Sequence, residues 1–483
     1  MRIVGIEPKA PGRHVFSQAP APRLGLPRLL TIAKQLGHKP IIYYEEVSPI
    51  NWRAVRMAHV IMISSITSTI DRAYDIIREI KRVNPWAPIL IGGPHVTFLP
   101  EEALEAGADY VFRHAADESF PEWLAWYRGS ADPKNEGGIY HIKGISFQRD
   151  GIYYHNQRPT VVDLNTLPTP DLSLIYGFKP PFVTICSSEG CPYDCEFCSE
   201  VPMHGRNYRF RSAERVVEDI RYYRQKYGNI RIFFGDDNLG ANPSRLERLC
   251  HLLIEQGLVG NYSGQVRLDL AENLELLHLM NRAGFSRVFI GYESVNPTSL
   301  QSTGKNLDPS QMAHWTKVFH QAGLAIHAMW VLGFDPDTRE TIKATIRACM
   351  RWGIETNQFL ILVPIPGSRL RERLKREGRI LSAPWSDYDG HHVVFQPRYI
   401  SARDLQIWVM LKAMPQIYNF WQTLHIFVRG NWRTIRRSLS LKTPHPWAEF
   451  RENFVTAGLR LWGQKAIRGI KSDMRNYLSR LGS

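Results

Sequence analysis

The chain has 483 residues, 44% hydrophobic and 22% charged, which is the balance of an ordinary soluble globular protein with room for two or three domains. Six cysteines in this length exclude a disulfide scaffold and point to a reducing compartment, and no uncharged run is long enough to cross a bilayer. The formal net charge is +14, and Arg429–Ser483 alone carries twelve Lys/Arg against three Asp/Glu, which suggests an anionic partner or a solvated basic face.

The opening Met1–Ile6 is a short strand without a signal-peptide apolar core, so a cytoplasmic chain is expected. Across residues 1–128, strands are expected at Arg2–Ile6, Pro40–Tyr44, His59–Ser65, Pro88–Gly92 and Asp109–Arg113. Helices are expected at Pro27–Leu36, Ile70–Val83, Pro100–Ala106 and Ser119–Arg128. This alternation builds a parallel sheet that binds ligands at the carboxyl ends of its strands. Two loops there hold Ser64, Ser65 and Thr67, then Gly92 and Gly93, offering hydroxyls and bare backbone to a ligand.

Residues 129–180 read as a connector, with a hairpin of Lys143–Gln148 and Ile152–Tyr154 around an Asp150-Gly151 turn. Leu167-Pro168-Thr169-Pro170-Asp171 then stiffens the chain. From residue 181 to 402 the alternation returns, with strands at Phe182–Ser188, Ile230–Asp236, Ser263–Asp269, Arg287–Glu293, Ala325–Gly333 and Phe359–Pro364. Helices fall near 212–227, 243–256, 272–283, 309–322 and 338–352, and glycines stand at 228, 257, 284, 323 and 353 where helix C-caps belong. Repeated βα units that curl give an open barrel whose functional groups sit at the strand carboxyl ends.

Just past the first such end lies Cys191-Pro192-Tyr193-Asp194-Cys195-Glu196-Phe197-Cys198. Three thiols are one short of the set that saturates an iron–sulfur cube, and the open iron is where chemistry can occur. Zinc prefers four ligands in two spaced pairs, and no partner pair is present downstream. Cys250 and Cys349 lie in helical patterns as buried thiols, and a core role is expected for Cys186.

The three-cysteine spacing, with Phe197 before the third thiol, resembles the radical S-adenosylmethionine (SAM) enzymes, and the domain order resembles their cobalamin-binding subfamily. The resemblance covers roughly residues 1–400. It implies a Rossmann-like cobalamin-type sheet followed by an open (β/α)6 partial barrel. It also implies a [4Fe–4S] cluster on Cys191, Cys195 and Cys198, whose open iron chelates SAM and cleaves it to a 5′-deoxyadenosyl radical. Matched positions place Phe197, Gly235, Asp236, Asp237, Arg267, Glu293 and Ser294 near SAM, with Asp269 beside them. Ser64, Ser65, Thr67, Gly92 and Gly93 would meet cobalamin. The Asp-x-His-x-x-Gly signature that ligates cobalt is absent; His14, the nearest histidine, lacks the aspartate. Relatives usually carry Gly-Glu-Gly-Glu after the fifth strand, where this chain has His114-Ala115-Ala116-Asp117. Asp335 likewise replaces a usual proline or small residue. No cysteine precedes Cys186 or follows Cys349, which argues against methylthiotransferase and auxiliary-cluster branches.

Residues 403–483 read as basic, aromatic-rich helices, either interfacial or packed on the core. Polar residues such as Lys412, Gln416, Asn419 and Gln422 exclude a span in segment 405–428. The expected activity is cobalamin-dependent methylation of an unactivated carbon in a small-molecule or lipid-like substrate, with flavodoxin or ferredoxin as electron donor. The alternatives are a radical SAM cyclase, rearrangement or carbon–carbon coupling enzyme, and a membrane or nucleic-acid binder acting through the tail. Peripheral contact with the inner face of a membrane is expected, and nucleic acid is not.

Overall fold

A computed structural model describes residues 1–10, 12, 21–129, 138–302, 307–439 and 446–481; His14 falls outside them. The first sheet comprises β1 (Arg2–Glu7), β2 (Lys39–Tyr44), β3 (Val60–Ser64), β4 (Ile89–Gly92), β5 (Tyr110–Phe112), β6 (Ile145–Arg149) and β7 (Ile152–His155). Their order is β2-β1-β3-β4-β5-β6-β7. The first five strands are parallel, and their near-continuous apolar runs reflect burial on both faces by helices such as α1 (Gly25–Gln35) and α2 (Ile70–Val83). Helix α2 shows the pattern from the other side, burying Ile70, Ala73, Ile76, Ile77 and Ile80.

The hairpin β6–β7 is not a free connector. It pairs antiparallel with β5 and completes the first sheet, so that sheet extends past residue 128. The segment after β7 is the true link between the two sheets, and Asp171 pins it. The Asp171 carboxylate accepts from Lys34 on α1 at 2.9 Å and from Lys226 on α3 (Ala213–Tyr227), while its amide donates to Thr31.

The barrel strands are β8 (Val183–Ile185), β11 (Ile232–Phe234), β12 (Tyr262–Val266), β13 (Phe285–Glu293), β14 (Ala325–Leu332) and β15 (Thr356–Ile361). A small antiparallel pair, β9 (Ser188–Glu189) and β10 (Arg209–Phe210), is inserted after β8. The six strands run parallel in the order β15-β14-β13-β12-β11-β8, with β8 and β15 at the edges, as the expected open (β/α)6 architecture requires. Outside pack α4 (Pro243–Glu255), α5 (Leu274–Ala283), α6 (Pro309–Gln321) and α7 (Arg339–Trp352). Alternate residues divide the two faces. On β14, Ile326, Ala328, Trp330 and Leu332 are buried under helices, and the residues between them line the lumen. There Phe289 lies 5.1 Å from Phe233 and 4.7 Å from His327, ring centre to ring centre.

After the barrel come α8 (Arg369–Arg376), α9 (Phe420–Leu439) and α10 (Pro446–Arg480). Helix α10 crosses the amino-terminal end of the barrel, where Glu452 and Thr456 hold the buried Arg287 at 2.6 Å each.

Burial raises the Asp171 carboxyl, but hydrogen bonds from Lys226, Ser173 and Lys34 outweigh it and hold the group well below the usual carboxylate range. Its contribution is therefore present above the unfolded pKa near 3.9 and lost as pH falls through the lower folded value. Asp171→Asn should lower stability by about 2 kcal/mol near neutral pH, and the gap to the parent should close in melting curves taken well below pH 4.

Candidate active site

The three cysteines occupy one short loop between β9 and β10, at the carboxyl end of β8. Two glycines shape its base. Gly190 has φ of 90°, and a Cβ there would stand 2.4 Å from the Asn207 carbonyl oxygen, so no other residue fits. Cys191 donates its amide to the Gly205 carbonyl at 3.1 Å, closing the loop on itself. All three thiols are partly accessible. The Glu200 amide points at Cys198 Sγ at 3.4 Å, and Tyr208 Oη lies 3.8 Å from Cys191 Sγ. Donors aimed at sulfur are what an anionic cluster needs. Among the described residues no three His, Cys, Asp or Glu converge tightly enough to grip a single ion. Three partly accessible thiols in one loop, with donors aimed at two of them, fit a three-thiolate cluster.

Helix α8 clamps the loop from outside. Arg369 donates to the Asp194 carbonyl at 2.7 Å, and the Leu370 amide to the Glu196 carbonyl at 2.9 Å. Arg373 holds the Glu196 carboxylate and Asp335, both at 2.7 Å, and Arg379 reaches Asp335 at 2.5 Å. Asp335 thus ties the turn after β14 to the cysteine loop through Arg373. Phe197 packs edge-on against Phe334 in that turn, at 5.9 Å.

The expected residues at the other strand ends divide into two kinds. Asp237 is exposed to the space beside the cysteines, and burial first and Asp237 second push the nearby Glu200 carboxyl up. Asp236 instead turns inward. It is buried, and its Oδ1 accepts from the Ser187 amide at 3.1 Å, the Ser187 hydroxyl at 2.9 Å and the Ser188 hydroxyl, so it braces the strand end. Gly235 packs closely against β8, since a Cβ there would meet Thr184 Cγ2 at 2.9 Å and Cys186 Sγ at 3.3 Å. Arg267 pairs with Asp269 and stacks over Tyr193 of the cysteine loop at 4.0 Å. Glu293 has φ of 58° at a register shift between β13 and β14, a strained conformation that concentrates at functional sites. Ser294 is fully buried, and its hydroxyl caps the Asn296 amide rather than facing the cavity. Cys186 is not a core thiol as expected; it lies on the lumen side, 3.7 Å from the Gly235 carbonyl. Cys250 and Cys349 are buried.

In the first sheet the two expected loops meet. Gly93 has φ of 120°, and a Cβ would stand 2.0 Å from the Ser65 carbonyl oxygen. The Ser65 amide donates to Gly92 at 3.1 Å, but its hydroxyl is used inside the fold, 2.8 Å from Thr69. Thr67 is buried. The half-buried Ser64 and the bare Gly92–Gly93 backbone remain at the strand ends, and this fits a ligand lying flat against main chain. His95 is committed to Glu102 at 3.4 Å and to the Trp385 ring. His114 faces the Met203 carbonyl at 3.0 Å, and burial pushes it down to about 4.

The carboxyl ends of the two sheets face each other. Asp117 and Glu189 both hold Arg28 of α1, at 2.7 and 3.0 Å, and Phe98 covers Gly367. Sequence reasoning missed this clasp and the Arg373 bridge, because nothing local in the chain distinguishes either arginine from a surface one. A separate cavity of about 610 Å³ lies at the opposite end of the barrel, lined by Asn261, Ser286, Trp447 and Arg451 among others, without a thiol. The geometry of the cysteine loop makes a sharp expectation. Cys195→Ala should abolish iron retention after anaerobic reconstitution, whereas Cys186→Ala should keep about four iron atoms per chain. Loss of iron in both would reassign the ligands.

Residues 45–124 match the B12 binding domain family, and residues 185–349 match the radical SAM superfamily. The chain is 28% identical to an uncharacterized methyltransferase of Pyrococcus horikoshii over 72% of its own length and 76% of that protein. It is 26% identical to the bacteriochlorophyllide d C-12(1)-methyltransferase of Chlorobaculum tepidum, covering 66% of each. Among solved structures, the cobalamin-dependent S-adenosylmethionine radical enzyme OxsB with aqua-cobalamin bound superimposes with a TM-score of 0.67. That match covers 99% of this chain and 83% of the other at 16% identity, a likeness of fold. With a B12 binding domain match followed by a radical SAM match that contains the thiol loop, the chain belongs to the radical SAM enzymes that carry an N-terminal cobalamin-binding domain.

Proposed function

We propose that this enzyme transfers a methyl group to an unactivated carbon of a small-molecule or lipid-like substrate. The observation that carries the reading is the meeting of the two strand carboxyl ends at Asp117, Arg28 and Glu189, which brings the first-sheet loops toward the cysteine loop. When bound, the cluster with SAM supplies a 5′-deoxyadenosyl radical, and cobalamin supplies a transferable methyl group.

Each group of residues has its own part in that reading. Cys191, Cys195 and Cys198 hold the cluster. Asp237, Arg267 and Glu293 orient SAM. Phe197 acts through Phe334 as a buttress. Ser64 and the Gly92–Gly93 backbone receive cobalamin, while Asp236, Ser65 and Ser294 fix the strand ends that carry these groups. The lumen below, lined by Phe233, Phe289 and His327, gives an apolar wall with one imidazole. Burial drives that imidazole down to about 4, so it is neutral at physiological pH and costs an apolar substrate no charge desolvation. A small flavodoxin- or ferredoxin-type electron donor and a cytoplasmic setting complete the reading.

Anaerobic protein loaded with cobalamin and given a reductant strong enough to form cob(I)alamin, together with SAM carrying a deuterated methyl group, should pass the label to cobalamin and release 5′-deoxyadenosine. Release of 5′-deoxyadenosine with no label in cobalamin would replace the methyltransferase reading by a radical cyclase, rearrangement or coupling reaction.

A further inference from the structure

Helix α9 is packed inside out. Trp421, Leu424, Val428, Trp432, Ile435 and Leu439 are 75%, 41%, 57%, 59%, 39% and 82% exposed. At 3.6 residues per turn these six fall within about 80° of arc, a continuous apolar stripe along the whole helix. A helix on a globular protein ordinarily turns such a stripe inward. Here the opposite face is the buried one, formed by Thr423, Ile426, Gly430, Thr434 and Arg437. Polar contacts fix that orientation. Arg433 pairs with the buried Glu355, Arg437 donates to the Gln321 carbonyl at 2.6 Å, and Asn453 of α10 bonds Thr434 at 3.2 Å. Rolling the helix to hide the stripe would strand these groups without partners.

Helix α10 continues the surface. Trp447, Phe454 and Leu461, spaced by sevens, are 83%, 64% and 50% exposed. Phe427 and Phe454 meet across the seam with ring centres 5.0 Å apart, so the two rows adjoin. The exposed charges interleaved with them are Arg436, Arg451, Lys465 and Arg468, all positive among the described residues of 420–468. The two acids of the same stretch are turned inward, Glu449 to Arg437 at 3.2 Å and Glu452 to Arg287 at 2.6 Å. No described helix is long and apolar enough to cross a membrane.

We propose that the outward face of α9 and α10 docks on an anionic phospholipid bilayer, with the aromatic and aliphatic rows inserted at the headgroup boundary and the basic residues against lipid phosphates. An apolar face rimmed by one sign of charge matches an interfacial helix pair. Self-association would set the same cations against one another. The tryptophans could stack on nucleic-acid bases, but Leu424, Val428, Ile435, Leu439 and Leu461 between them would stay exposed there, whereas a bilayer buries them. The face lies at the end of the barrel opposite the cysteines, since Arg437 and Arg429 cover Gly323 and Gly353 in the loops entering β14 and β15. Docking therefore holds the enzyme at the surface with its cysteine loop turned away from the lipid. The proposal does not depend on which bond the enzyme makes.

The test uses the full chain with its cluster reconstituted, co-sedimented with phosphatidylcholine vesicles with and without phosphatidylglycerol. Binding should require phosphatidylglycerol and weaken as salt shortens the Debye length. Arg451→Glu with Lys465→Glu and Arg468→Glu should weaken it by at least about tenfold, and Trp421→Ser with Trp432→Ser should weaken it at unchanged iron content. A full chain that stays in the supernatant overturns the proposal regardless of the variants. So does undiminished binding by both variants, displacement from vesicles by duplex DNA at equal phosphate, or a dimer in size-exclusion chromatography that the tryptophan variant dissociates.

Discussion

Arg28 is the residue on which the arrangement of the site depends. Its guanidinium leaves α1 of the first sheet and is shared between Asp117, after β5, and Glu189, just before the cysteine loop. Burial lowers the arginine pKa, but Asp117 and Glu189 more than offset it, so the charge is retained between two carboxylates. Removing Arg28 would leave the Asp117 carboxylate without its cation in a largely desolvated place. His204 and Arg209 also face Glu189, at 3.7 and 3.0 Å, which ties the clasp into the segment beyond the thiols. The loop His114–Asp117 therefore supplies one of the contacts that join the two domains at their carboxyl ends, beside Phe98 on Gly367.

Much of this fold was legible in the sequence because its signals are local. The apolar runs Val60–Ser64 and Ile89–Gly92, the periodicity of Ile70–Val83 and the glycines at helix ends announce strands, helices and caps wherever the chain later folds. The cysteine loop was legible for the same reason, being one short segment with its own spacing. The features that stayed hidden depend on distant partners. Asp236 and Asp237 are adjacent and chemically identical, yet one braces Ser187 and Ser188 while the other faces the cavity; only the direction of the strand end decides between them. The hairpin at Asp150-Gly151 was readable as a hairpin, but its pairing with β5 rests on Phe147 meeting Tyr110 across the sheet. The contacts Arg28–Glu189, Lys34–Asp171 and Arg373–Glu196 each span more than a hundred residues, and no short window of sequence contains both ends of any of them.

Two physical demands divide the C-terminal helices. Their inner faces satisfy buried charge at the amino-terminal end of the barrel, where Arg460 donates to the Glu355 carbonyl at 2.9 Å and Arg287 meets Glu452. Their outer faces then receive the apolar residues that the inner faces cannot accept. In the sequence these segments are only aromatic and basic residues at helical spacing, which suits either face outward. The buried arginines resolve that ambiguity.

The central claim is that the facing carboxyl ends form a single site for cluster, SAM and cobalamin. The most direct measurement is the cobalamin content and cob(II)alamin paramagnetic resonance spectrum of the anaerobically reconstituted full chain after exhaustive desalting. The expected result is about one retained cobalamin per chain without nitrogen hyperfine splitting from a histidine, because the Asp-x-His-x-x-Gly signature is absent from the chain. A chain that loses cobalamin on desalting while its cluster still cleaves SAM would contradict the claim.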